Sequence, residues 1–359
     1  MTVSDDLCVV IPAHNEELLV GRCIRSVLAA GVAPEHVYVV NDGSTDATAA
    51  VTAGFPRVNL LTNEVPCGKL GALRTAIAHF RLTTRYRYLA LLDADSRVAP
   101  DYFSEVLVRF ITNPEVVLVC GAPHSEPHNW LTAYRALEYA VTLRAFRAGQ
   151  NVLGVITVAP GCASTYATRI LPALEWETQT LVEDMDLTIQ IHRKRLGVIA
   201  FTPHAVAYTQ DPRTIRQYIG QLTRWYSGTW QVMLLRRLPF GRQRIDAEFA
   251  LLTGEGLLYG LLFLALPVLA CLRPTAVLGL LVVDQALWLS LAVGFALSER
   301  RADILWAFPF SLFIRFVNCA VLLQTFWLEV IRRKTRHEWF FVGRYRSTTD
   351  AAAVEISHA

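Results

Sequence analysis

Three long apolar runs in the last third of the sequence limit what this chain can become. Residues 249–272, 275–297 and 304–330 are joined by short polar connections. Each is longer than the roughly 20 residues that cross a bilayer as a helix. Core helices of a soluble protein can be apolar all round, but three in succession read as membrane segments. Glu255, Asp284 and Arg315 interrupt them. A charge facing lipid is costly, so these three are expected to face protein or a polar cavity. Arg315 and Pro309 make the third run the weakest span. Three crossings from a cytoplasmic start would leave the following residues outside. Yet the stretch from Arg332-Arg333-Lys334 to Arg346 is strongly basic and belongs inside. The sequence leaves open whether one run is re-entrant, lies at the interface, or hides two half-spans.

Composition points to the same partner. The 359 residues carry a net charge of only +3 and are 53% hydrophobic, with a mean hydropathy of +0.33. That charge is too small for a nucleic-acid footprint, so no nucleic-acid partner is expected. The basic residues are mostly arginine, and many lie between Arg193 and Arg346, beside the apolar runs. Membrane lipid is their natural partner. Seven cysteines show no CxxC pairing and read as small buried hydrophobes of a reducing compartment. Polar Ser4-Asp5-Asp6 leads directly into the first strand with no signal-peptide pattern ahead of it. The expectation is a multi-pass protein of the cell (inner or plasma) membrane with a cytoplasmic N-terminal domain.

Ahead of the membrane runs, short apolar stretches alternate with helical patterns. Strands are expected at 7–11, 37–40, 58–62, 88–93 and 116–120, with helices between them, the last at 101–111. This alternation implies a doubly wound, mostly parallel α/β sheet. After Cys120 the pattern changes. An amphipathic helix is expected at 130–147 and a strand at 152–159. A helix opens at Glu183-Asp184, where acidic residues suit an N-terminus. Short strands follow at 198–201 and 205–208, then a basic, aromatic helix at 215–235 that suits the bilayer interface. Four regions result: a cytoplasmic domain (1–212), an interfacial helical region (213–245), membrane helices (246–331) and a basic tail (332–359).

The stretch Tyr88-Leu89-Ala90-Leu91-Leu92-Asp93-Ala94-Asp95 concentrates the chemistry. Its apolar part reads as a buried parallel strand, and open α/β sheets bind ligands at the carboxyl ends of their strands. Two carboxylates there repel, and a divalent cation resolves the conflict. Hard oxygen ligands suit magnesium or manganese held jointly with a diphosphate. A strand followed by a polar turn would explain the same residues without a metal. Glu183-Asp184 equally fits a helix start, Trp225 an interfacial anchor, and Arg224 a side chain snorkelling to phospholipid.

Four motifs stand in order: Asp42 after the second strand, Asp93-Ala94-Asp95, Glu183-Asp184, and Gln221-Leu222-Thr223-Arg224-Trp225. Together, and followed by membrane segments, they resemble the family-2 inverting glycosyltransferases, in particular the membrane-bound cellulose, hyaluronan and poly-N-acetylglucosamine synthases. The resemblance implies a GT-A fold, a nucleotide-sugar donor (usually UDP-linked) and a divalent metal. It implies that Pro12, Asn15 and Glu16 border the nucleotide, that Asp42 reads the uracil edge, and that Lys69 lies near the nucleotide. It makes Asp93 and Asp95 the DxD pair, with Asp95 the direct metal ligand. It makes Asp184 the catalytic base, Gly161 and Cys162 part of the acceptor-end loop, and Gln221, Arg224 and Trp225 the QxxRW motif beside Glu183. Val182 stands where the family usually has threonine. Two larger departures are the lack of apolar spans ahead of Leu7 and the small membrane part.

The chemistry reads independently of the family. A base must take the acceptor hydroxyl's proton as it attacks the anomeric carbon. The leaving diphosphate gains charge, which a metal on Asp95 and the planar fork of Arg224 can stabilise. The acceptor is a growing β-linked glycan or, in the alternative, a lipid such as diacylglycerol, a sphingolipid or a polyprenyl phosphate. A partner subunit or second copy would then complete a channel. A different class is a catalytically silent nucleotide-sugar sensor or assembly subunit.

Overall fold

The computed structural model describes residues 5–176, 180–335 and 344–345. Its centre is an eight-stranded sheet: β1 (Leu7–Ala13), β2 (Val37–Asp42), β3 (Asn59–Asn63), β4 (Tyr88–Leu91), β5 (Arg97–Val98), β6 (Val116–Ser125), β7 (Ser164–Ala167) and β8 (Val198–Thr209). The spatial order is β3-β2-β1-β4-β7-β6-β8-β5. β3, β2, β1 and β4 are mutually parallel. Their apolar runs follow from burial on both faces: Leu7 through Ile11 and Val37 through Val40 have no exposure at all. Six helices of the catalytic half fill the crossovers: α1 (Val20–Ala29), α2 (Thr48–Ala53), α3 (Gly68–His79), α4 (Leu82–Arg85), α5 (Tyr102–Thr112) and α8 (Glu183–Lys194). The helix α6 (Trp130–Val141) widens into a π-helical stretch, Thr142–Arg147, and continues as α7 (Ala148–Leu153).

The expected strand at 152–159 is absent: α7 ends at Leu153, and residues 155–160 carry no regular structure. The strand in this region is β7, which runs antiparallel between β4 and β6. Its sequence, Ser-Thr-Tyr-Ala, offers no apolar run, because its burial comes from neighbours on both edges rather than from its own hydrophobicity. The reversal has a geometric result. The start of β7 pairs with the end of β4, Ser164 opposite Leu91, so the Pro160-Gly161-Cys162 loop arrives beside Asp93. The two short strands expected at 198–201 and 205–208 form one bent strand, β8, whose pairing with β6 is interrupted between Cys120 and Ala122.

The remainder is helical. α9 (Ile215–Leu235) carries Gln221 through Trp225. α10 (Arg244–Leu272) and α11 (Pro274–Ser298) are long and apolar, and a 3-10 helix (Ala302–Phe310) leads into α12 (Ser311–Phe326). Three of these stretches are long and apolar enough to cross a membrane: Arg244–Leu272, Pro274–Ser298 and Ala302–Ile331. Two of the charges within the apolar segments face protein, as expected, by meeting each other. The Arg315 guanidinium grips both carboxylate oxygens of Asp284, with Arg315 Nη1 to Asp284 Oδ1 at 2.8 Å. Glu255 does not follow the expectation, since it is exposed on α10. It lies only about 9 Å past Phe249 along the helix, near one end of the apolar run. Five cysteines are buried, but Cys67 and Cys271 are exposed, against the reading of all seven as core residues.

Candidate active site

The site gathers where β1, β2 and β4 end and α8 and α9 begin to pack on the sheet. Pro12 lies in the last turn of β1, opposite Val40. Asn15 takes a left-handed conformation with φ 56°, which asparagine tolerates better than most residues. Its N–H donates to Ser44 Oγ (3.0 Å) and its Oδ1 accepts from the Thr45 N–H (2.8 Å). The first loop is thereby stitched to the loop after β2. Asp42, at the end of β2, accepts from the N–H groups of Cys67 (3.0 Å) and Gly68 (2.8 Å) and from Asn63 Nδ2 (2.8 Å). These bonds hold the start of α3 against β2 and occupy part of the carboxylate's acceptor capacity.

Lys69, one residue later, reaches into the centre. Its ammonium lies 2.5 Å from Asp93 Oδ1 and 3.3 Å from Glu183 Oε1. Burial opposes the charge, but Asp93, Glu183 and Asp184 outweigh it and hold the amine firmly protonated. Gly161 leaves room for this ammonium, since a Cβ at that position would press on Lys69 Nζ and displace it. The buried Cys162 thiol is pushed up by burial and by the charges of Asp93 and Asp95.

Asp95 faces a different cation. Arg344 Nη1 lies 2.6 Å from Asp95 Oδ2, and Arg344 Nε donates to both Glu16 oxygens at 2.9 and 3.0 Å. Burial pushes the Asp95 carboxyl up against the pull of Arg344. Burial and Asp95 together lift Glu16 to about 7 despite the same arginine. Arg344 is the side chain at this cluster that sequence reasoning missed. Within a basic tail, one arginine has no spacing or periodicity to single it out.

Asp184 sits in the first turn of α8. Its Oδ1 accepts from the Met185 N–H (2.8 Å) and its Oδ2 from the Gly161 N–H (3.2 Å). Burial and the neighbouring Glu183 push it up to about 6, with Lys69 and Arg224 pulling the other way. Arg224 Nη1 donates to the Leu181 carbonyl (3.4 Å), three residues before Asp184. Val182, in the place of the family's usual threonine, packs on Gly228 of α9, where a Cβ would come within 2.7 Å of its side chain. Gln221 is buried, and its Oε1 has no partner among the described residues. The ring of Trp225 is covered by the guanidinium of Arg135, 4.8 Å from its centroid, which leaves less of it free as a sugar platform than the sequence implies.

Asp93, Lys69, Glu183, Asp184 and Gly161 thus form one connected cluster, with Arg344 tying Asp95 and Glu16 beside it. A model of the family described as "Glycosyltransferase like family 2" matches residues 5–228. The chain belongs to glycosyltransferase family 2. It is an enzyme of the glycosyltransferase class with a GT-A fold. Poly-beta-1,6-N-acetyl-D-glucosamine synthase of Staphylococcus epidermidis is 26% identical over 229 residues, covering 62% of this chain and 54% of that protein. The Staphylococcus aureus (strain COL) protein of the same name is 25% identical over 232 residues with the same coverage. This glycosyltransferase therefore spans about half the length of the curated relatives it matches. Among solved structures, the mannosyltransferase PcManGT from Pyrobaculum calidifontis, in complex with GDP-Man and Mn2+, superposes with a TM-score of 0.59 at 18% identity, covering 87% of both chains. That likeness is one of fold.

The donor set fits a divalent metal. Asp93 and Asp95 offer hard carboxylate oxygens, and the cations already seated on them, Lys69 and Arg344, mark a place that demands positive charge. No cluster of three or more candidate metal ligands occurs among the described residues. The remaining coordination would come from a diphosphate and water, as magnesium and manganese accept.

Proposed function

We propose that this glycosyltransferase moves a sugar from a nucleoside-diphosphate donor, a UDP-sugar, onto a growing β-linked glycan at the cytoplasmic face of a membrane, with inversion at the anomeric carbon. The observation that carries the reading is Asp184: a buried carboxylate lifted to about 6, hydrogen-bonded to the Gly161 loop and adjacent to the neutralised Asp93–Lys69 pair. An acceptor hydroxyl attacks the anomeric carbon while its proton passes to Asp184. The bond to the diphosphate oxygen breaks, and the diphosphate departs with the electron pair. Arg224 meets that charge through its planar fork. Pro12, Asn15, Glu16 and Asp42 line the nucleotide end, with Lys69 and Asp93 between nucleotide and sugar. Asp95 and Asp93 would hold magnesium or manganese, which when bound supplies charge neutralisation to the diphosphate. Glu183, Gln221, Trp225, Gly161 and Cys162 surround the acceptor.

A second reading, transfer to a lipid acceptor without polymerisation, is favoured by one observation: only three helices among the described residues could cross a membrane, few to enclose a polymer. Membranes incubated with a panel of radiolabelled UDP-sugars separate the readings. Label in a polymeric fraction supports the glycan acceptor, and label confined to lipid-soluble product supports the second. A protein that neither transfers nor slowly hydrolyses any donor would be a sensor, and the reading as an active enzyme would be lost.

A further inference from the structure

The third apolar segment is held to the catalytic domain along its whole length. At its start, Arg301 Nη1 donates to the Ser125 carbonyl at the end of β6 (2.7 Å). The Trp130 and Phe310 rings stack 4.2 Å apart. In the middle, Tyr218 OH of α9 bonds Asn318 Oδ1 (2.8 Å), and Asn318 Nδ2 donates to Glu138 of α6 (3.0 Å). Near its end, Trp230 Nε1 donates to Thr325 Oγ1 (3.1 Å), and Gln231 Nε2 to Glu329 Oε1 (3.3 Å). Its other flank follows the hairpin of α10 and α11. Arg301 lies just past the end of α11, whereas Ser311 bonds Gln285 and Arg315 grips Asp284, near the middle of that helix. From there the segment runs back along α10: Phe316 packs on Phe263 (4.5 Å), Leu323 on Gly260, and Phe326 belongs to one cluster with Leu257 and Phe249.

Helix rise turns these pairings into depth. From Ser298 back to Asp284, and from Phe249 on to Phe263, each helix advances about 21 Å. The segment therefore travels about that far along α11 and returns about that far along α10, short of the roughly 30 Å hydrocarbon thickness. Two further observations agree. Arg344, beyond the segment, is on Glu16 and Asp95 of the catalytic face. The basic residues also sort to one side: Arg236, Arg237 and Arg242 before α10 and Arg244 at its first position, Arg300 and Arg301 after α11, and Arg332, Arg333 and Lys334 after the third segment. The turn between α10 and α11 has Arg273 alone. Such asymmetry puts the rich side in the cytoplasm. Burial differs too: 39% of an 18-residue apolar stretch of the third segment is buried, against 11% for the matching stretch of each of the other two.

We infer that α10 and α11 are the two membrane crossings of this region and that residues 302–331 are re-entrant, entering the bilayer and returning to the catalytic side. The inference rests on the membrane reading but not on the sugar chemistry. The 3-10 stretch that opens the segment packs one flank on protein: Ala307 joins Leu131 and Tyr134 of α6, and Ile304 joins Leu137 of α6 and Ala292 of α11.

Thiol labelling of the full chain in sealed, inverted membrane vesicles tests it with a membrane-impermeant maleimide. Exposed Cys67 reports the catalytic face when Cys271→Ser removes the other exposed thiol. With both replaced by serine, Arg273→Cys reports the turn, and Arg332→Cys or, should that variant misfold, Thr335→Cys reports the far end of the third segment. The expected result is labelling at positions 67 and 332 from outside the vesicle and at 273 only after detergent. Labelling of position 332, like 273, only after detergent would mean three crossings and overturn the inference. Labelling of all three from outside would mean none and also overturn it. Release of the protein by alkaline carbonate would remove the membrane reading itself, an outcome distinct from either labelling pattern.

Discussion

The carboxylates at the ends of the parallel strands and the carboxylate at the start of α8 live under opposite electrostatic conditions. Asp42, Asp93 and Asp95 each have a cation or several N–H groups directly on their oxygens. Asp184 accepts from two backbone N–H groups and has an acidic neighbour beside it, with Lys69 and Arg224 acting on it as charges. The first arrangement sets cations and N–H donors on the oxygens, at Asp95 against a burial that raises its carboxyl too, and suits a place that holds cations and phosphates. The second leaves a carboxylate with a raised proton affinity, as a base requires. One sheet thus builds two kinds of acid by changing what stands within hydrogen-bond reach.

Replacing the base should break this contrast most sharply. In Asp184→Asn, turnover is expected to fall by roughly 10²–10⁴-fold, with UDP affinity unchanged, measured by steady-state transfer and by UDP titration. An equal loss of donor affinity would mean that Asp184 belongs with the strand-end acids. Next in size are two changes of opposite sign around Asp95. Asp95→Asn should abolish the gain in UDP affinity that manganese confers. Arg344→Ala removes a competing guanidinium, so manganese should bind the nucleotide-free protein about tenfold more tightly, the worth of one charged hydrogen bond. Calorimetry reads both.

The pH profile sharpens the comparison further. Asp184 is competent only when deprotonated, and burial has lifted it to about 6. The kcat at saturating donor and acceptor should be full above about pH 7 and fall tenfold per unit well below about pH 6. Lys69→Met deletes a charge that lowers Asp184, so in that variant the acid limb should move to higher pH. The smallest effect is expected from Gly228→Ala. The added Cβ would press on Val182 at 2.7 Å and tilt the start of α8 away from α9, costing about 1–3 kcal/mol of stability as overpacking does. Thermal melting measures it.

Much of this was legible in the sequence because it is local. An apolar run announced β1, apolar runs ending in acids announced β2 and β4, and acidic residues announced the start of α8. β7 was hidden because its four residues owe their burial to the strands on either side. Its reversed direction, which delivers Gly161 to Lys69, is a property of pairing that no periodicity records. The partnership of Arg344 with Asp95 spans most of the chain and has no local signature. The number of membrane crossings could not be counted from hydropathy, since a re-entrant segment is as apolar as a spanning one; the difference lies in where its ends are tied.

The pair between Asp284 and Arg315 has a consequence for how the protein is made. The acid precedes the arginine by thirty-one residues, so a ribosome offers α11 to the membrane before its counter-ion has been synthesised. An aspartate near the centre of a span disfavours insertion by about 2.5–3.5 kcal/mol. For a hairpin that enters the bilayer, this argues that α11 lingers at the insertion machinery, or beside α10, until the re-entrant segment arrives to neutralise it. A chain released just after Ser298 should then integrate poorly, although both of its crossings are complete.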